Sequence, residues 1–309
     1  MNSQPRISVC LTYYHRRARL SATLESLARQ TRLPDEIFLW DDCSPDDPTD
    51  IIQSFRDRFP HFVYHRNPRN LGMPGNLNAV LTQTTGDYVA NLHDADVFDP
   101  QLLEKWARAL DQYPTAGLVF CGLDATRDNP AGPEMILPEI VPLTPGKLFF
   151  ERWFVGCQRS VIWGTVMVRK PVYDRLLPFV PRYFNWADVD MWMRICAQYD
   201  IAYVREPLIV LDNTHTQQRR FSWYRMLLMH EMCFANIREV YASDLPAMQA
   251  ALGRQRRCLR LSYLRFLAGS IKWLDFPRLR AGLGLAARVF RSDATAGDGR
   301  LVCNLAVPG

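Results

Sequence analysis

In 87-DYVANLHDADVFDP-100 a run of strand-forming residues, 88–92, leads directly into His93, Asp94 and Asp96. Carboxylates are costly to take out of water unless a positive group meets them. Asp99-Pro100 supplies the cap and first turn of a following helix, which accounts for that pair but not for Asp94 and Asp96. Spaced carboxylates at a strand end suit a hard divalent cation, which takes oxygen ligands and can bridge to a diphosphate. Asp94 and Asp96 could both turn toward one such ion from a loop.

Two other apolar runs end in polar residues. The run 7-ISVCLTYY-14 closes on Thr12, Tyr13 and Tyr14, and 36-EIFLWDD-42 on Asp41 and Asp42. A carboxylate at the position of Asp42 can accept hydrogen bonds from a base or a ribose, and Tyr13 or Tyr14 could stack on the base. Asn67, Arg69, Asn70, Gly72 and Asn76 form a turn-prone polar patch, fit either to hold a nucleotide or to turn the chain. Arg219 and Arg220 could clamp a diphosphate, and a solvated basic turn explains them equally well. There is no G-x-x-x-x-G-K-[ST] loop and no G-x-G-x-x-G after the first run, which weighs against a P-loop NTPase and an ordinary dehydrogenase.

The elements that must position these residues alternate. Strand-like runs at 7–14, 36–42, 62–67, 87–94 and 117–122 are separated by segments with helical spacing. Their apolar positions are Leu20, Leu24 and Leu27; Ile51, Ile52 and Phe55; Leu77, Val80 and Leu81; Leu102, Leu103, Trp106 and Leu110. Such alternation predicts an α/β fold, a mostly parallel sheet with helices on both faces, and ligands outside the C-terminal strand ends. Residues 123–160, rich in Pro and Gly, read as an excursion with little regular structure. A strand is expected within 161–170, a helix over 183–200, a strand at 201–211, and helices beyond about 222.

Of the 309 residues, 48% are apolar and 22% charged, as in ordinary globular chains. The eight cysteines are scattered without a C-x-x-C pair, which speaks for a reducing compartment and against a disulfide framework. No secretory signal and no spanning apolar stretch is visible, so a cytoplasmic location is expected. The net charge of +5 is uneven. Residues 230–309 hold 12 Arg/Lys and 6 Asp/Glu, giving +6, and the remainder sums to −1. On a helical wheel, 254–274 shows apolar residues all round and lacks the clean split of an interfacial helix. Peripheral contact of 230–309 with the anionic inner membrane surface is a further expectation.

The ordered blocks TYY, WDDCSPDD, NPRNLGMPGNLN, YVANLHDADVFDP, WADVDMWMR and EPLIVLDNTH resemble the family-2 glycosyltransferases, inverting enzymes of the GT-A fold. The resemblance spans roughly residues 5–220 and implies a GT-A domain over 1–222 with a basic, helical region at 223–309. It implies a nucleotide-sugar donor, a glycan or lipid-linked acceptor in cell-surface polysaccharide synthesis, Mg2+ or Mn2+ as cofactor, and no nucleic-acid partner. The implied donor site is Thr12, Tyr14, Asp41, Asp42, Asn70, Asn76 and Asp94, and the implied metal ligands are Asp94, Asp96 and His215. Asp188 is the implied catalytic base. Residue chemistry alone leaves Asp188 open as a first-turn aspartate stabilised by the helix dipole, His215 as an ordinary loop histidine, and Asp190 as a solvated or Arg-paired helix residue.

The chain departs from the family pattern at three places. Aligning Leu92 and Val97 with L-D-x-D-D-V puts His93 and Ala95 at the two D-x-D positions. The family's E-D pair becomes Ala187-Asp188, and Cys43 stands where glycine is frequent. Ala95 and Ala187 motivate an alternative, a catalytically silent nucleotide-sugar-binding protein on the same fold. A nucleotidyltransferase is a third reading, disfavoured because no Gly- and Lys-rich loop follows the first strand.

Overall fold

A computed structural model describes residues 4–124, 134–156, 160–211 and 223–272, together with residues 280 and 283. Strands β1 (Ile7–Tyr13), β2 (Glu36–Asp41), β3 (Phe62–Arg66) and β4 (Tyr88–His93) form the parallel half of a sheet in the order β3-β2-β1-β4. Helices α1 (Arg17–Ala28), α2 (Thr49–Phe55) and α3 (Gly72–Leu81) connect them.

Alternation along β1 builds two cores. Ile7, Val9, Leu11 and Tyr13 join Leu20, Leu24 and Leu27 of α1 on one face. Ser8 and Cys10, on the other face, are also buried, and α3 packs there against β1 and β2. Burying each such leucine contributes about 2 kcal/mol. Both faces are covered, as a parallel sheet requires.

The rest of the sheet is mixed. After β5 (Val97–Phe98) and α4 (Leu102–Gln112) come β6 (Ala116–Asp124), β7 (Glu134–Met135), β8 (Leu143–Thr144), α5 (Gly146–Trp153), β9 (Val166–Arg169) and α6 (Lys170–Leu176). A 3-10 turn, Pro181–Trp186, then leads into α7 (Ala187–Cys196) and β10 (Asp200–Val210). The full strand order is β3-β2-β1-β4-β9-β6-β10-β5, with β7 on β6 and β8 on β10. Among the described residues four pairings are parallel and five antiparallel. Most paired residues lie in the parallel ladders, as the alternation implies, and the antiparallel pairings are short additions. The chain returns from its excursion in the opposite sense, so β9 runs against both β4 and β6.

Two compact units emerge. The first holds residues 1–146 and 162–218, with the whole sheet. The second takes 147–161 and 219–309, with α8 (Trp223–Val240) and α9 (Leu245–Lys272). Contrary to the sequence expectation, the excursion contains a helix, α5. Its residues 147–153 belong to the second unit, where Phe150 meets Tyr241 and Glu151 bonds Arg254. No helix among the described residues is long and apolar enough to cross a membrane.

Candidate active site

Between β1 and β4 the direction of strand addition reverses, because β2 and β3 extend one side of β1 and β4 the other. Open α/β sheets place ligands in the crevice outside such a switch point. Register brings Thr12 opposite both Trp40 and His93 there, with Tyr14 just beyond the end of β1. The Tyr14 ring is 50% exposed, free to stack on a planar ligand.

The acidic residues divide by function. Asp41 is fully buried, and its carboxylate accepts from the Ser44 amide (2.8 Å) and the Tyr64 hydroxyl (2.9 Å) and pairs with Arg66 at 3.3 Å. That carboxylate holds β2, β3 and the turn together. Burial, with Asp41 as acceptor, pushes the Tyr64 pKa up to about 12.

Asp42 organises the polar patch. Its Oδ1 accepts from Asn67 Nδ2 (3.1 Å) and the Leu71 amide (2.7 Å), and its carbonyl accepts from Asn70 Nδ2. Asn76 donates to the Trp40 carbonyl and accepts from Asn67. Asp42, Asn70 and Asn76 thus form one network that shapes the rim. The structure gathers them without turning Asn76 outward, since that side chain is buried and bonded at both ends.

At the end of β4, Asp94 and Asp96 turn to different partners. Asp94 Oδ2 accepts the Tyr14 amide at 2.9 Å, while Oδ1 faces Arg16 Nε at 3.7 Å. Burial drives the Asp94 pKa up to about 6, against the lowering pull of the Tyr14 amide, Arg16 and His93. Asp96 Oδ2 lies 3.4 Å from His93 Nδ1 and accepts a long hydrogen bond from Thr165 Oγ1 at 3.5 Å. Thr23, on α1, donates to the carbonyls of both aspartates and fixes the loop between them.

His93 ties this loop to the start of α7. Partial burial, with the side chain 44% exposed, works against its cation. The hydrogen bond to Asp96 and the charges of Asp96, Asp94 and Asp188 outweigh that and raise its pKa. Gly164 fits beneath. A Cβ there would come within 2.5 Å of His93 Nε2 and 3.3 Å of Asp188 Oδ2, and its carbonyl accepts from Asn91 Nδ2 at 2.7 Å. Glycine lets the backbone sit this close without displacing the imidazole.

Asp188 sits in the first turn of α7, its Oδ1 accepting its neighbour's amide, from Val189, at 2.7 Å. Asp190 is buried and paired with Arg194 at 3.0 Å, the Arg-paired alternative. His215, Arg219 and Arg220 lie outside the described residues.

The residues that sequence reasoning left out of the site are His93, Gly164, Thr165 and Arg16. His93 was visible as an imidazole at an acidic motif position. A lone glycine in the strand-like run 161-VIWGTVMVRK-170 signals close backbone approach. Nothing local marks Thr165 or Arg16, whose partners lie 69 and 78 residues away in sequence.

The donor set suits a divalent cation at one place. Asp94 is a buried carboxylate whose Oδ1 faces the Arg16 guanidinium at 3.7 Å, beyond hydrogen-bond reach, and a hard cation would relieve its charge. Asp96 already serves His93 and Thr165. Among the described residues no group of three or more His, Cys, Asp or Glu gathers as a metal cage. An ion here would draw most of its oxygens from phosphates and water, as Mg2+ commonly does.

The sequence profile of "Glycosyl transferase family 2" matches residues 8–165, more than half of the chain and all of the switch-point half of this site. The chain belongs to glycosyl transferase family 2. A relative of this family-2 chain is EpsE of Bacillus subtilis (strain 168), named as a glycosyltransferase. It is 27% identical over 241 residues, which cover 75% of this chain and 84% of EpsE. S. aureus TarS 1–349, solved in complex with UDP-GlcNAc, superposes with a TM-score of 0.63 at 16% identity and 90% coverage of each chain. The mannosyltransferase PcManGT from Pyrobaculum calidifontis, solved with GDP-Man and Mn2+, gives 0.56 at 17% identity, covering 91% of this chain and 85% of that one. At such identities the likeness establishes the GT-A fold. This family-2 glycosyltransferase keeps that fold with the motif departures at His93, Ala95 and Ala187.

Proposed function

We propose that this glycosyltransferase moves a sugar from a nucleotide-sugar donor to a hydroxyl of a glycan or lipid-linked acceptor, with inversion, in cell-surface polysaccharide assembly. The observation that carries the reading is that His93 Nε2 and Asp188 Oδ2 both border the Cβ position of Gly164 beside the switch point, with Asp96 Oδ2 3.4 Å from His93 Nδ1. Side chains from the end of β4 and from the start of α7 thus face the same glycine.

Inversion follows from a single displacement. The acceptor oxygen bonds to the anomeric carbon, the bond from that carbon to the diphosphate breaks, and the acceptor proton passes to Asp188. The nucleotide diphosphate leaves with both electrons of the broken bond. Tyr14 stacks on the base, the Asp42 network shapes the rim that receives the nucleoside, and Asp96 orients His93 toward the phosphates. Asp94 would hold Mg2+ or Mn2+, and His215 is kept as a further ligand. When bound, the cation supplies charge neutralisation to the leaving diphosphate. PcManGT, with GDP-Man and Mn2+, and TarS, with UDP-GlcNAc, support the choice of ligands by analogy of fold.

Ala187 bears on the silent-protein alternative. It is fully buried, so an acid there would be desolvated, and its loss need not disable Asp188. A panel of nucleotide sugars with Mn2+ decides between the readings. In the expected outcome one donor raises the melting temperature and releases nucleotide with acceptor, and Asp188→Asn cuts transfer by about 10²–10⁴ while keeping the donor's thermal shift. Binding without any release would favour the silent protein. Undiminished transfer by Asp188→Asn would refute the assignment of the base.

A further inference from the structure

Helix α9 carries apolar residues on two opposite sides, one buried and the other exposed. Leu252, Leu259, Tyr263 and Phe266 are buried within the second unit. Leu261, Leu264 and Ile271 are 49%, 52% and 60% exposed. Spacings of three and seven residues put those three on one outward stripe of a helix with 3.6 residues per turn, with Ala268, also exposed, between the last two.

The charges on α9 are of one sign. Over Leu245–Lys272 the sequence holds Arg254, Arg256, Arg257, Arg260, Arg265 and Lys272 and no Asp or Glu. Arg257, Arg260 and Arg265 are exposed on the turns that carry the stripe. Arg254 is engaged with Glu151 of α5 at 2.5 Å. The apolar residues all round the wheel therefore have a structural reason: one set is core, and the other is an outward Leu/Ile stripe set among arginines.

We infer that this face of α9 is a docking surface for an anionic lipid bilayer. The stripe enters the boundary between headgroups and acyl chains, and the flanking arginines meet lipid phosphates. A second copy of the chain is a poor occupant, since a self-complementary contact through this face would set cations against cations. The inference extends the acceptor side of the proposed function, because a bilayer is where a lipid-linked acceptor is held. It rests on that reading for its purpose only; the contact itself needs neither donor nor acceptor.

The test is flotation of the full chain with vesicles of phosphatidylcholine alone or of phosphatidylcholine and phosphatidylglycerol at 7:3, at low salt and at 0.5 M NaCl. The expected result is flotation with the anionic vesicles at low salt, weakened at high salt and absent with phosphatidylcholine. Leu261→Ser/Leu264→Ser/Ile271→Ser and, separately, Arg257→Glu/Arg265→Glu should each weaken binding at least tenfold. Unchanged circular dichroism and an unchanged thermal shift with the nucleotide sugar would show that both variants stay folded and that donor binding is a separate matter. Failure of the parent chain to float with anionic vesicles would overturn the inference. So would retention of binding by the serine variant, which means adsorption by charge alone. A dimer in sedimentation that the serine variant abolishes would assign the face to a second copy instead.

Discussion

At the scale of single residues, Asp94 shows how a site sets function against stability. Its pKa, raised by burial to about 6, exceeds the ordinary aspartate value near 3.9. The folded state therefore holds this proton more tightly than the unfolded chain does. The stabilising contribution is full below about pH 3.9 and is lost as pH rises through about 6. At 1.36 kcal/mol per unit, the ionised side chain costs at most about 3 kcal/mol at neutral pH. Asp94→Asn keeps an acceptor for the Tyr14 amide and removes the charge. It should raise the melting temperature by a few degrees at pH 7.5 and leave it unchanged at pH 4, while weakening the thermal shift given by Mn2+ with a nucleotide sugar. A lower melting temperature at pH 7.5 would contradict the burial argument. The sequence made Asp94 conspicuous, since a carboxylate beyond an apolar strand asks for a partner. It did not reveal that Asp94 and Asp96 have different partners. That depends on Tyr14 and Thr165, which come to the β4 end only when the sheet assembles.

At the scale of elements, the strand and helix turns that deliver the site carry the backbone strain. Among the described residues the non-glycine positions with positive φ are His15, Cys43 and Phe184. They fall beside Tyr14, beside Asp42, and four residues before Asp188. Strain of this kind costs about 1–3 kcal/mol per residue and gathers at functional sites. Cys43, at φ 60°, explains why glycine suits its position in the family pattern. Phe184 is the sharpest case, with φ 48° and ψ −130°, the conformation glycine takes at the first central position of a type II′ turn. A pair of variants isolates the backbone, since Phe184→Ala and Phe184→Gly lose the same 47%-exposed ring. Glycine ordinarily destabilises relative to alanine. Here the glycine variant should be the more stable by about 1 kcal/mol, read from urea unfolding, and the ordinary order would show the turn to be relaxed. Periodicity made α1, α2, α3 and α4 legible, because each buries the expected apolar positions, Ile51 of α2 only partly. It could not foresee the 3-10 turn ahead of α7, where a phenylalanine takes a glycine conformation. Nor could it give the sense of β9, which depends on the path of the excursion.

At the scale of the whole molecule, the sequence announced a basic C-terminal region but not that 147–161 belongs with it. Those contacts, Phe150 with Tyr241 and Glu151 with Arg254, span about a hundred residues and leave no local pattern. The same unit holds a histidine that the proposed chemistry does not use. His230 is fully buried, and burial lowers its pKa to about 4. Gln255 gives its Oε1 to the Gly156 amide, so its Nε2 donates to His230 Nδ1 at 2.8 Å, which places the ring proton on Nε2. That Nε2 has no hydrogen-bond partner among the described residues, and a second proton on the ring would disrupt the bond to Gln255. The unfolded chain, with an ordinary histidine near 6.5, takes up that proton first as pH falls. The contribution of the neutral ring is therefore full above about pH 6.5 and is lost progressively down to about pH 4, some 3 kcal/mol in all. Melting curves of the parent chain between pH 7.5 and 4.5 should fall more steeply than those of His230→Met, which cannot titrate there. The difference between the two chains should develop between pH 6.5 and 4. Parallel curves would mean that His230 is already protonated or solvated in the native unit, and that Gln255 faces a different tautomer.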